Sequence, residues 1–104
     1  MILKFMQLGK NLKTKEDNEK DTWEDISQKV NEESRELQEA IYEEDLIHIA
    51  EETFDLIQVA IRSLVMLSKS KLNIEQLNIR HNKKLVNRSW KAVRVIKVFW
   101  SYRE

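Results

Sequence analysis

The chain has no cysteine, no proline and one glycine in 104 residues. Without cysteine, neither a disulfide nor a thiolate metal site can form. With Gly9 alone and no proline, the residues that punctuate β-hairpins and long loops are missing. That composition favours an all-α protein. No apolar run approaches the roughly 20 residues that a membrane span needs. Met1 to Leu8 is apolar but broken by Lys4 and Gln7, too short for a signal peptide. A cytoplasmic protein with no membrane partner is therefore the expectation. The length bounds one domain, whose core must be thin for its size.

What is present is charge, unevenly placed. Net charge is zero, yet residues 16–55 hold 16 of the 18 acids and only Lys20, Lys29 and Arg35 as bases. Residues 56–104 hold 11 bases against Glu75 and Glu104. An acidic half can hold cations and a basic half can meet phosphates; equally, the halves can pair with each other or with a partner chain.

Helical spacing organises the middle of the chain. Asp21 or Thr22 is expected to cap a helix running to about Tyr42, with Glu24 and Asp25 in its first turn. Asp45 caps a second helix, to about Ser68. Ser70 caps a third, from about Lys71 to Asn87, with Ile74, Leu77, His81 and Leu85 on one stripe. Residues 1–20 read as an N-terminal arm, free or docked on a partner through Ile2, Leu3, Phe5 and Met6. Residues 21–89 form the core. Residues 90–104 read as a final helix or an extended tail at a subunit interface. The second helix is apolar nearly all round, which demands burial in several directions. The expected architecture is thus an antiparallel helical hairpin plus a third helix, assembled into an oligomeric four-helix-type bundle.

Four carboxylates interrupt this pattern. On the first helix Trp23, Ile26, Val30, Leu37 and Ile41 form an apolar stripe, and Glu33 stands where the member between Val30 and Leu37 should be. On the second, Ile49, Leu56 and Ala60 leave a gap at Glu52 and Thr53. Glu33 and Glu36, like Glu52 and Asp55, are spaced i, i+3 and share a helix face. A hairpin turning near Glu44 sets Glu33 level with Asp55, and Glu36 level with Glu52. Carboxylates that close cannot all stay ionised without a counter-cation. An oxygen-only donor set suits a hard cation, Mg²⁺ or Mn²⁺. Solvated Glu-x-x-Glu pairs are common; two such pairs in hairpin register, both intruding on apolar stripes, are not.

The runs Lys29-Val-Asn-Glu-Glu-Ser-Arg-Glu-Leu-Gln-Glu-Ala40 and Glu51-Glu-Thr-Phe-Asp-Leu-Ile57 resemble the MazG-like all-α nucleoside triphosphate pyrophosphohydrolases. That family carries a Glu-x-x-Glu pair followed by a Glu-x-x-Asp pair on adjacent helices. The resemblance extends, more weakly, to His81-Asn-Lys-Lys-Leu-Val-Asn-Arg-Ser-Trp90, and covers roughly residues 22 to 90. Many members have a small residue, often glycine, where Arg35 and Phe54 stand, and glycine where Ser89 stands. The resemblance implies Mg²⁺-dependent hydrolysis of a nucleoside triphosphate to the monophosphate and pyrophosphate. Glu33, Glu36, Glu52 and Asp55 would be the metal-binding and catalytic residues. Lys84 and Arg88 would hold phosphates, and Asn82 a metal or sugar contact, all three sharing the exit face of the third helix. They can equally be solvated helix-end groups. The expected assembly is a homodimer or homotetramer, without nucleic acid.

Other constellations are weaker. Asp45-x-x-His48 is half of a carboxylate–histidine metal pair and occurs once, so His48 reads as a surface or partly buried residue. His81 reads as a satisfied core histidine. No glycine-rich phosphate loop and no nucleophile arrangement is present. The competing function is a non-catalytic oligomeric helical module that binds nucleic acid or an acidic partner through its basic C-terminal half.

Overall fold

The helix boundaries follow from local chemistry. The computed structural model describes residues 1–100; the expectations for Ser101 to Glu104 lie outside the described residues. Helix α1 spans Trp23–Glu43, α2 spans Leu46–Ser68 and α3 spans Ile74–Asn87. Among the described residues there is no strand, only an isolated bridge between Lys10 and Asp17. No described helix is long and apolar enough to cross a membrane.

Thr22, rather than Asp21, caps α1, in a reciprocal box with Asp25. The Thr22 hydroxyl accepts from the Asp25 amide at 3.2 Å, and the Asp25 carboxylate accepts from the Thr22 amide at 2.9 Å. Two of the helix's orphan donors are thereby satisfied. Donation to the Asp25 carboxylate from the Thr22 amide, and next from the Thr22 hydroxyl at 3.0 Å, holds the Asp25 carboxyl below its ordinary range. Between α1 and α2 lie two residues. Glu44 adopts the left-handed conformation at φ 58°, and Asp45 then caps α2 by accepting from the Ile47 and His48 amides. The hairpin closes without glycine because Glu44 takes a conformation normally costing about 1–2 kcal/mol.

The chain divides into two compact units, Met1–Leu72 and Asn73–Glu104. In the first, α1 and α2 pack as the expected antiparallel hairpin. Its buried apolar residues are Ile26, Ala40 and Val59, all on the facing sides of the two helices. The arm docks on its own chain. The Phe5 ring meets the Phe54 ring edge-on at 5.9 Å, and the Gln58 amide donates to the Met6 carbonyl at 3.3 Å. Part of the arm thus has an apolar seat on α2 of its own chain. Ile2, Leu3 and Met6 keep exposed side chains. Arg62 clamps the end of the arm, donating to both oxygens of Asp21 at 2.9 and 2.6 Å.

In the second unit Asn73, not Ser70, caps α3, accepting from the Gln76 amide at 3.0 Å. The Ser70 hydroxyl is engaged with the Leu67 carbonyl and the Leu72 amide, so the third helix starts three residues later than expected. Ile74 and Leu85 are half-buried, whereas Leu77 and His81 are exposed, so His81 is not a core residue. The helix ends with Ser89 at φ 71°, the Ser89 amide bonded to the Val86 carbonyl and the Trp90 amide to Leu85. This paired closure asks for a left-handed residue, usually glycine. Residues 90–100 form no helix.

Candidate metal centre

The α1–α2 hairpin brings four carboxylates together because the acidic positions lie on the packed sides of both helices. Glu33 and Glu36 fall on the α1 face that carries Ile26 and Ala40; Glu52 falls on the α2 face that carries Val59. One carboxylate oxygen from each of Glu33, Glu36, Glu52 and Asp55 lies within 4.8 Å of the other three. The first three residues are half-buried and Asp55 is exposed. One oxygen of Glu33 and one of Glu52 (Oε2 in each) are buried without a hydrogen-bond partner. Such atoms are costly unless a proton or a cation meets them.

The electrostatics agree. Burial, together with the neighbouring Glu36, Asp55 and Glu32 carboxylates, pushes the Glu33 carboxyl up to about 7. Burial, with Glu36 and Asp55 beside it, also raises Glu52. Protons accumulate where negative charge is crowded, and a divalent cation would be drawn there for the same reason.

His48 is the neighbour that sequence reasoning underrated. Its Nδ1 lies 3.0 Å from Glu43 Oε2, and its Nε2 lies 3.2 Å from Glu52 Oε1. The bond to Glu43, first of its influences, raises the imidazole's proton affinity. The i, i+4 spacing of His48 and Glu52 was visible in the sequence; the reach back across the turn to Glu43 was not.

The remaining expected residues lie in the second unit. Lys84 is on α3 and Arg88 at its C-cap, and with Leu77, Arg80, His81 and Asn87 they line one shallow open depression. Asn82 does not share that side. In a continuous helix at about 100° per residue, it stands roughly 160° from Lys84, because residues two apart do not face each other. The face expected to hold all three thus holds Lys84 and Arg88 only.

The phosphoribosyl-ATP pyrophosphohydrolase family model matches residues 5–77. The chain belongs to the phosphoribosyl-ATP pyrophosphohydrolase family. These proteins fall in the same all-α pyrophosphohydrolase superfamily as the MazG-like proteins, and the family points to pyrophosphohydrolysis of a nucleotide substrate. The match contains both acidic pairs and the whole hairpin, and stops before Asn82, Lys84 and Arg88. No curated protein and no solved structure gives a significant match. Within this phosphoribosyl-ATP pyrophosphohydrolase relative, Phe54 has a local role: its ring receives Phe5 from the arm. Arg35, the other departure from a small residue, is exposed.

Proposed function

We propose that the chain hydrolyses a nucleoside triphosphate to the monophosphate and pyrophosphate, as in the MazG-like branch, with Mg²⁺ or Mn²⁺ held by Glu33, Glu36, Glu52 and Asp55. The observation that carries this reading is the convergence of four carboxylates with two buried oxygens left unpartnered. The donor set fits the ion: all oxygen, anionic and partly open to solvent at Asp55, leaving room for water and phosphate oxygens. A bound divalent cation would polarise a phosphoryl oxygen and make a water more acidic. The chain's own carboxylates hold the charge of the site, and one of them orients the attacking water. Lys84 and Arg88 are assigned contacts to substrate phosphates; Asn82, on the other side of α3, is assigned at most a separate contact to sugar or metal, not a place beside them. The family's name adds phosphoribosyl-ATP as a second substrate to try, since it too carries a triphosphate.

The same reading includes a cytoplasmic homodimer or homotetramer. In the first unit Val30, Ile41, Leu46 and Ile47 are exposed, more apolar surface than a lone hairpin can cover. The test is pyrophosphate release from a panel of ribo- and deoxyribonucleoside triphosphates and phosphoribosyl-ATP, with Mg²⁺ and with chelator. Release from one of them, abolished by chelator and by Glu36→Gln, supports the reading. No release from any of them would favour the non-catalytic module.

A further inference from the structure

Glu52 has its two carboxylate oxygens in different circumstances. Oε1 is 3.2 Å from His48 Nε2, while Oε2 is buried and has no partner. The imidazole that makes this distinction is itself held. Its Nδ1 contacts Glu43 Oε2 at 3.0 Å, and its backbone amide is bonded to the Asp45 cap of α2. Glu43, His48 and Glu52 therefore form a chain of contacts that begins on the last turn of α1, crosses the hairpin turn and ends at the carboxylate cluster.

We propose that His48 is a positioning residue: it occupies Glu52 Oε1 so that Glu52 presents Oε2 to the bound cation. The inference rests on the metal reading above and adds to it the residue that orients a ligand. The terminal torsion of a glutamate is broad, so an unheld carboxylate samples many orientations. A donor on one oxygen removes that freedom and leaves a single oxygen for the metal. Partners of this kind around metal ligands typically influence affinity 10–100-fold. Glu43 supports the arrangement by fixing the ring from its other nitrogen. With a carboxylate on each nitrogen the ring donates from both and carries a positive charge; if that charge's repulsion of the metal outweighed its hold on Glu52, removing it would tighten metal binding.

Mn²⁺ binding to the metal-free full chain, followed by the paramagnetic resonance of free Mn²⁺, separates these possibilities without relying on turnover. His48→Leu is expected to weaken Mn²⁺ about tenfold or more. His48→Gln, whose amide can still donate to Glu52, is expected to recover most of the loss. Glu43→Ala, at an exposed position, removes the acceptor at Nδ1, should release the ring and weaken binding severalfold, and it serves if His48→Leu does not fold. Unchanged or tighter Mn²⁺ binding in His48→Leu overturns the proposal. So does equal weakening in His48→Leu and His48→Gln. An unsubstituted chain that binds no Mn²⁺ overturns both this inference and the metal reading. Binding that is lost in Glu33→Gln but unmoved by the His48 variants overturns this inference alone.

Discussion

Two long helices in the first unit pack on each other, and carboxylates are drawn into the packed face along with Ile26, Ala40 and Val59. In the second unit, the 14-residue α3 has no buried residue, and its bases stand on exposed positions. Both regions are rich in charge, of opposite sign. The difference is that packing in the first unit takes acidic oxygens out of water, while the basic side chains of the second keep their solvent. A charge acquires unusual chemistry when its environment strips it of water, which is why the first unit holds the candidate metal centre and the second is assigned only phosphate contacts in the proposed reading.

The sharpest way to break that comparison is to remove a carboxylate from the cluster. Glu52→Gln is nearly isosteric and should leave the helix content intact, yet lower kcat on the order of 100-fold or more with loss of the metal dependence. Lys84→Ala or Arg88→Ala should instead raise KM about tenfold, the value of one charged contact, with kcat little changed. Steady-state pyrophosphate release measures both, and equal kcat losses in the two regions would erase the distinction.

Next in size is the clamp between Asp21 and Arg62. Both side chains are mostly buried, and Arg62→Ala strands the carboxylate. We expect a loss of about 2 kcal/mol, which for a domain of this size lowers Tm by roughly 10 °C. A melt that moves by less than about 3 °C would show that the arm does not stiffen the first unit.

Stability should also depend on pH, in a direction set by the cluster. Glu33 has a folded-state value of about 7, above its ordinary 4.5, so the folded chain binds this proton more tightly than the unfolded chain. That stability is fully present below about pH 4.5 and is lost as pH rises through about 7. His48, also raised, contributes in the same sense at pH values above its ordinary 6.5. Metal-free protein should therefore melt progressively lower from about pH 5 to 8, by a few degrees. Glu33→Gln should flatten the slope, and Mn²⁺ at pH 8 should restore Tm by mass action. A metal-free Tm that climbs steadily over the same range contradicts the crowding of the four carboxylates.

The smallest expected effect compares the two left-handed residues, Glu44 in the first unit and Ser89 in the second. Ser89→Gly and Glu44→Gly should each stabilise by about 0.5–1 kcal/mol, the steric relief exceeding the extra entropy glycine brings to the unfolded chain. Denaturant titration resolves this, and destabilisation by Ser89→Gly would argue against the closure described at the end of α3.

Much of the hairpin was legible because its signals are local. The helices at Trp23–Glu43 and Leu46–Ser68 followed from caps and 3.6-residue spacing, and the turn at Glu44 made Glu33, Glu36, Glu52 and Asp55 meet. Elsewhere competing local partners decided. Ser70 looked like a cap, but its hydroxyl found Leu67 and left Asn73 to start α3. Asn82 looked like a companion of Lys84, but two residues along a helix is nearly the opposite side. The arm's apolar residues were legible as sticky, without any indication that Phe54 would receive Phe5.

The sequence by itself determined the all-helical character, the hairpin register and the identity of the four clustered carboxylates. Each of these depends on periodicity or on neighbours within a turn or two, which spacing encodes directly. Only the tertiary structure decided that Arg62 grips Asp21 across 41 positions, that Phe5 rests on Phe54, and that one oxygen of Glu52 is held by His48 while the other is buried and unpartnered. Those outcomes depend on how distant surfaces pack and on which atom of a side chain loses water, and neither is written in the spacing of residues.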